Sequence, residues 1–223
     1  MKALAFSGGK DSMACLFLLR EELDCLIHVD TGYAYPETRA IVNDAARMVP
    51  TYVVMSNRDA QNTMEGIPSD VVPIDWTRFG QQFSGLKEVT IQSYLGCCFE
   101  NINRPIWDKA IELGVTHLYF GQRQQESKRA PWKPGEIVFG IERLHPINDW
   151  TTDQVMGFLS QHMEIPKHYL IEHSSLDCYD CTAYRAHSHD RVAWTKERYP
   201  IFHQAYETRR AALDGALRTA LEA

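Results

Sequence analysis

Two sets of residues in this chain have the types and spacing that chemistry needs. The first is the run Ser7-Gly8-Gly9-Lys10-Asp11-Ser12. Glycines let the backbone approach an anion, and the N–H groups of a helix start point at it with the favourable end of the helix dipole. Lys10 adds a mobile positive charge, and the hydroxyls of Ser7 and Ser12 can donate to phosphate oxygens. The glycine spacing is not that of the G-x-x-x-x-G-K-[ST] loop. The second set is Cys97-Cys98 together with Cys178-x-x-Cys181. Either pair alone is a weak signal. Together they supply four soft thiolates, which suit a [4Fe-4S] cluster or a structural zinc, and the spacing does not choose between them.

The elements around these residues follow from pattern. Residues 2–6 form a short apolar run that stops at the glycines, a strand ending in a turn. A helix is predicted over 12–23 from the near-helical spacing of Met13, Leu16, Phe17, Leu19 and Leu23. Residues 25–29 read as a second strand, 36–48 as a helix opened by Pro36, and 51–55 as a third strand. This order implies a parallel sheet with right-handed crossovers. Residues 57–90 carry few signals and read as loops and short turns. A helix is expected over 101–113, a strand over 116–120, a capping box at Thr151 and Gln154, and helix from Pro200 onward. Cys15 and Cys25 fall in the first helix and second strand and are assigned to the core. The basic stretch 185–210 reads as an ordinary amphipathic surface.

The fold class is therefore α/β, a mostly parallel twisted sheet flanked by helices. Residues 1–150 form an α/β core carrying the anion-binding loop, and 151–223 a helical, cysteine-bearing C-terminal segment packed on it as one domain. With 44% hydrophobic and 23% charged residues, the chain has the composition of a globular protein and not of a disordered one. Its net charge of −6 argues against a protein whose main task is to grip a nucleic-acid backbone. A nucleic-acid acceptor stays open but is not indicated. The longest apolar run, residues 13–19, is far short of the ~20 residues a membrane span requires. A cytoplasmic location is expected, where clustered cysteines mean metal or catalysis more often than disulfides. A homodimer is compatible with all of this.

Ser7-Gly8-Gly9-Lys10-Asp11-Ser12 resembles the pyrophosphate-binding loop of the adenine nucleotide alpha-hydrolase superfamily. The cysteine pattern resembles that of the APS reductases within the PAPS reductase family. Further segments agree with that family. Asp30-Thr31-Gly32-Tyr33-Ala34-Tyr35-Pro36-Glu37-Thr38 is similar to its D-T-G-x-x-[FY]-P-E-T, and Gly121, Arg123, Glu126, Ser127 and Arg129 match G-x-R-x-x-E-S-x-R. Pro146-Ile147-Asn148-Asp149-Trp150-Thr151 is similar to P-[IL]-x-D-W-T, and Cys178-Tyr179-Asp180-Cys181-Thr182 to C-x-x-C-T.

The resemblance implies a Rossmann-like fold, with ATP or another adenine nucleotide and Mg²⁺ held at residues 7–12. It further implies that Asp30, Thr31 and Gly32 read adenine and ribose, and that Arg123, Glu126 and Ser127 contribute to the nucleotide site. Lys10, Asp11, Arg123 and Arg129 become the catalytic candidates. Cys97, Cys98, Cys178 and Cys181 become ligands of a [4Fe-4S] cluster, with zinc the alternative, and thioredoxin or another reductant an expected partner.

Three departures shape the functional expectation. Sulfonucleotide reductases usually carry a nucleophilic cysteine near their C-terminus, and this sequence has none after Cys181. Lys10 is intact where those reductases tend to have lost it. Ile102 stands where a lysine commonly follows the Cys-Cys pair. The leading expectation is thus ATP cleavage between the α and β phosphates, with adenylation coupled to sulfur transfer. The alternatives are APS or PAPS reduction with an external thiol, and a nucleotide-binding iron–sulfur sensor module.

Overall fold

The computed structural model describes residues 1–125, 133–171, 178–183 and 189–222. The chain opens with β1 (Lys2–Ala5), α1 (Lys10–Leu19), β2 (Cys25–Asp30), α2 (Pro36–Ala45) and β3 (Thr51–Met55). Then come α3 (Arg58–Glu65), β4 (Ile67–Ser69), α4 (Arg78–Ser84), β5 (Ile91–Ser93), α5 (Tyr94–Cys98) and α6 (Arg104–Glu112), the last two joined by a π-helical turn. β6 (His117–Phe120), β7 (Ile137–Val138) and β8 (Ile141–Leu144) follow. The described helices end with α7 (Thr152–Leu159), α8 (Lys167–Ile171), α9 (His189–Arg198) and α10 (Pro200–Glu222).

The main sheet runs β3-β2-β1-β6-β8-β7, parallel except for the β7–β8 pair. Strand residues alternate between two cores, as the pleat requires. Leu4, Phe6 and Leu26 face α1, α2 and α7, meeting Leu16, Val42, Val155 and Leu159. Ala3, Ala5, Cys25, Ile27 and Val29 face the opposite side, against Ile106, Trp107 and Ala110 of α6. Helices on both faces explain why the central strands are near-continuous apolar runs. The predicted strand over 51–55 is present with those limits, and the helices α1 and α2 end earlier than expected.

Residues 57–90 depart most from the expectation of loops, since they hold α3, β4 and α4. β4 pairs in parallel with β5, and a small third core joins them to the last helix through Trp76, Ile91, Leu213 and Ala216. The α7 start is as predicted: Gln154 N–H donates to Thr151 Oγ1, and the Thr151 N–H donates back to Gln154 Oε1.

Strand order reverses at β1, whose neighbours are β2 on one side and β6 on the other. In an open α/β sheet, ligands bind in the crevice outside the carboxyl ends of the strands at such a switch point. The glycine loop leaves β1 at that place.

Candidate functional site

The loop is built by two glycines that no other residue replaces cheaply. Gly8 has φ +80°, a conformation that costs an L-residue with a side chain roughly 1–2 kcal/mol. Gly121, just past β6, lies so close to the loop that a Cβ there would stand 2.8 Å from the backbone of Asp11 and Ser12. The Tyr169 hydroxyl, buried in α8, donates to the Gly8 carbonyl at 2.7 Å. Nothing in the sequence marked Tyr169, because its role depends on α8 folding back onto the loop. Ser12 Oγ turns inward to the Gly9 carbonyl at 3.0 Å and lies 3.2 Å from Ser7 Oγ. No side chain caps α1, whose helix start faces the crevice behind Gly9.

Charge at the loop is organised by Asp11. One carboxylate oxygen lies 3.4 Å from Lys10 Nζ, and the other accepts from Arg123 Nε at 2.7 Å. Arg123 is 1% exposed. Its guanidinium also donates to the Trp150 carbonyl at 3.1 Å, to Thr152 Oγ1 and to Gln125. A fully buried fork engaged by a carboxylate, a carbonyl and two side-chain oxygens braces the loop against the start of α7. Glu126, Ser127 and Arg129 lie outside the described residues.

Asp30, Thr31 and Gly32 end β2 beside the loop. Gly32 N–H donates to Asp30 Oδ1 at 2.8 Å, and Thr31 is buried with Oγ1 accepting from Tyr33 N–H. Cys178 Sγ reaches that same hydroxyl at 3.5 Å, and Tyr179 N–H donates to the Tyr33 carbonyl at 3.0 Å. The second cysteine pair is thereby seated against the end of β2. An open cleft of about 470 Å³ adjoins this point, lined by Gly32, Arg39, Tyr179 and Phe202 among others.

The two cysteine segments meet around α3. Arg58, 2% exposed, pairs with Asp180 between Cys178 and Cys181, and its guanidinium lies 3.9 Å from the centre of the Tyr33 ring. Burial works against the Arg58 charge, yet Cys178, Asp180 and Cys97 together hold its pKa above the ordinary value. One turn on, Asn62 Nδ2 donates to Cys97 Sγ at 3.8 Å, and Asn101 Nδ2 donates to the same sulfur at 3.6 Å. Burial pushes the Cys97 thiol up; Arg58 opposes that, and Cys181 adds to it. From α9, Arg191 donates to the Cys178 and Cys181 carbonyls at 3.3 and 3.0 Å. From α10, Arg209 donates to Asp180 at 2.8 Å.

These contacts correct the reading of residues 185–210 as plain surface. Arg191 is 4% exposed, and it and Arg209 turn inward onto the C-x-x-C loop, while Arg185 and His187 lie outside the described residues. Three guanidiniums thus touch this loop directly against the one carboxylate of Asp180. Such an excess of positive charge suits a centre of thiolates around Zn²⁺ or an iron–sulfur core, which is net negative. N–H donors aimed at a ligating sulfur suit it too. Among the described residues, no three His, Cys, Asp or Glu side chains stand in a geometry that would hold a metal ion. Cys15 and Cys25 behave as predicted: both are fully buried, and burial raises both thiols.

Comparison with known proteins decides the family. The model of the phosphoadenosine phosphosulfate reductase domain matches residues 2–184. The chain belongs to the PAPS reductase family. Two curated relatives are phosphoadenosine 5'-phosphosulfate reductases. That of Proteus mirabilis is 26% identical over 183 residues, covering 79% of this chain and 68% of the relative. That of Alkalilimnicola ehrlichii is 28% identical over 171 residues, covering 75% of this chain and 63% of the relative. This family member therefore spans about two thirds of their length. In fold it is similar to the phosphate complex of phosphoadenylyl-sulfate reductase from Candida auris, with a TM-score of 0.50, 16% identity and 76% of each chain covered. Both comparisons agree with a mostly parallel, Rossmann-like sheet flanked by helices.

Proposed function

We propose that this PAPS reductase-family chain is a sulfonucleotide reductase that takes its thiols from outside its own described cysteines. The observation that carries this reading is the match of the phosphoadenosine phosphosulfate reductase domain over residues 2–184. The contact of Cys178 with Thr31 would join a nucleotide in the crevice to the sulfur-bearing loop. The adenylate phosphate would lie over the glycine loop, with Lys10 and the N–H groups of the α1 start around it. Asp11 keeps Lys10 aimed, and Arg123 keeps Asp11 in place. Thr31 and Gly32 would border the ribose.

The reaction balances with two external thiols. A thiolate attacks the sulfate sulfur, an S–S bond forms, and the S–O bond to the phosphate breaks. The nucleotide leaves with the electron pair on its phosphate oxygen, where Lys10 stabilises the charge. A second thiolate then attacks the thiosulfonate, releasing sulfite and leaving a disulfide, so sulfate sulfur gains two electrons and the thiols lose them. A thioredoxin-type dithiol would serve, approaching through the open cleft beside Gly32 and Arg39. Cys97, Cys98, Cys178 and Cys181 have the donor chemistry of a [4Fe-4S] or zinc centre, but among the described residues no three such side chains stand where they would hold a metal ion.

Lys10 itself favours a second reading, ATP cleavage between the α and β phosphates with Mg²⁺, since a lysine in this loop suits a departing pyrophosphate. One product assay separates the two. Purified protein is incubated with adenosine 5'-phosphosulfate or its 3'-phosphorylated form plus reduced thioredoxin, and in parallel with ATP and Mg²⁺. Thiol-dependent sulfite supports reduction. Pyrophosphate without sulfite overturns it in favour of ATP cleavage.

A further inference from the structure

The peptide between Gly8 and Gly9 is the freest part of the loop, because neither flanking residue has a side chain to restrict rotation. That freedom is built in at Gly8, where φ +80° and a 3.3 Å approach of any Cβ to Thr38 Cγ2 both disfavour a side chain. A planar trans peptide points its C=O and N–H in opposite directions. Whatever holds the Gly8 carbonyl therefore also aims the Gly9 N–H. The holder is Tyr169, whose hydroxyl donates to that carbonyl at 2.7 Å from 161 positions away. On the other side of the peptide, the Gly9 N–H meets Ser7 Oγ at 3.3 Å, a long contact on the exposed side of the loop.

We propose that Tyr169 is a positioning residue for the anion-binding loop: by pinning the Gly8 carbonyl inward, it keeps the Gly9 N–H turned out to receive a nucleotide phosphate. The proposal rests on the reading that the glycine loop receives that phosphate, and it adds α8 to the parts that shape the loop. A Gly8 carbonyl turned toward the crevice would set its negative end against the phosphate, in place of an N–H donor. The tyrosine is itself well fixed. It is buried in the core that holds Leu16 of α1 and Val42 of α2, and the His168 ring packs edge-on against it with centroids 4.7 Å apart. Burial and the nearby Asp11 push its pKa above the ordinary value, so the hydroxyl keeps its proton and remains a donor through the neutral range.

The test compares wild type with Tyr169→Phe, which keeps the ring and its packing. The control is Tyr206→Phe, which removes a buried hydroxyl bound to Arg210 on the last helix. Affinities for adenosine 5'-phosphosulfate and for ATP are measured by calorimetric titration. In ligand-free protein labelled with ¹⁵N-glycine, the Gly9 amide signal reports the orientation of the peptide. Tyr169→Phe should bind nucleotide weaker by roughly fivefold or more, with a shifted Gly9 signal. Tyr206→Phe should match wild type in both measurements. Wild-type affinity or an unshifted Gly9 signal in Tyr169→Phe would overturn the proposal, as would equal weakening in Tyr206→Phe. If wild type binds neither nucleotide, the nucleotide reading falls, and the Gly9 signal alone decides whether Tyr169 orients the peptide.

Discussion

At the scale of single residues, Lys10 and Arg123 meet on the same carboxylate, Asp11, one from a partly open side and one from a buried side. Glycines, lysine and serines adjoining a strand end announce an anion site by type alone. Arg123 was visible as a motif residue, but its burial was not, because only the folded start of α7 supplies the carbonyl and hydroxyl that engage it. Lys10→Ala should lower turnover 10²–10³-fold, the scale for losing one charge-stabilising donor, while thermal stability stays near wild type. Arg123→Ala should differ in kind. Leaving Asp11 without its buried partner should cost about 3–5 kcal/mol of stability, read in a denaturant titration. His168 provides a pH test. Burial lowers its pKa from the ordinary 6.5, so as pH falls the unfolded chain takes up the proton first. Its contribution is present above pH 6.5 and fades as pH drops below it toward the folded value. His168→Gln should therefore flatten the fall of the unfolding midpoint between neutral and mildly acid pH.

At the scale of elements, periodicity served where segments are long or capped. The β1-α1-β2-α2-β3 order and the Thr151 capping box were both readable, and Thr151→Ala should cost about 1 kcal/mol in thermal unfolding. Periodicity failed over 57–90. α3 is polar nearly throughout and buries Arg58 in place of an apolar stripe, while β4 and β5 are too short to show alternation. That failure hid the centre of the cysteine site, since α3 supplies both Arg58 and Asn62. The one sequence hint was a carboxylate placed between the two cysteines of C-x-x-C, a charge that needs a cationic partner once buried. Gly121→Ala tests the close approach of β6 to the loop. A Cβ 2.8 Å from the Asp11 and Ser12 backbone must displace the loop, so nucleotide binding should weaken at least tenfold, measured by calorimetry.

At the scale of the whole molecule, the described parts interlock more closely than a core with an appended segment would. α7 shares a core with α1, α10 shares one with β5, and α9 and α10 send arginines onto the loop that rests against β2. No described helix is long and apolar enough to cross a membrane. The glycine-loop crevice and the C-x-x-C loop would form one site, joined at Thr31 and Cys178. Its most direct test is the alkylation rate of Cys178 in metal-free protein, followed by mass spectrometry with and without saturating adenosine 5'-phosphosulfate. Bound nucleotide should slow modification of Cys178 several-fold while the buried Cys15 stays unreactive in both conditions. Nucleotide binding with an unchanged Cys178 rate would contradict it.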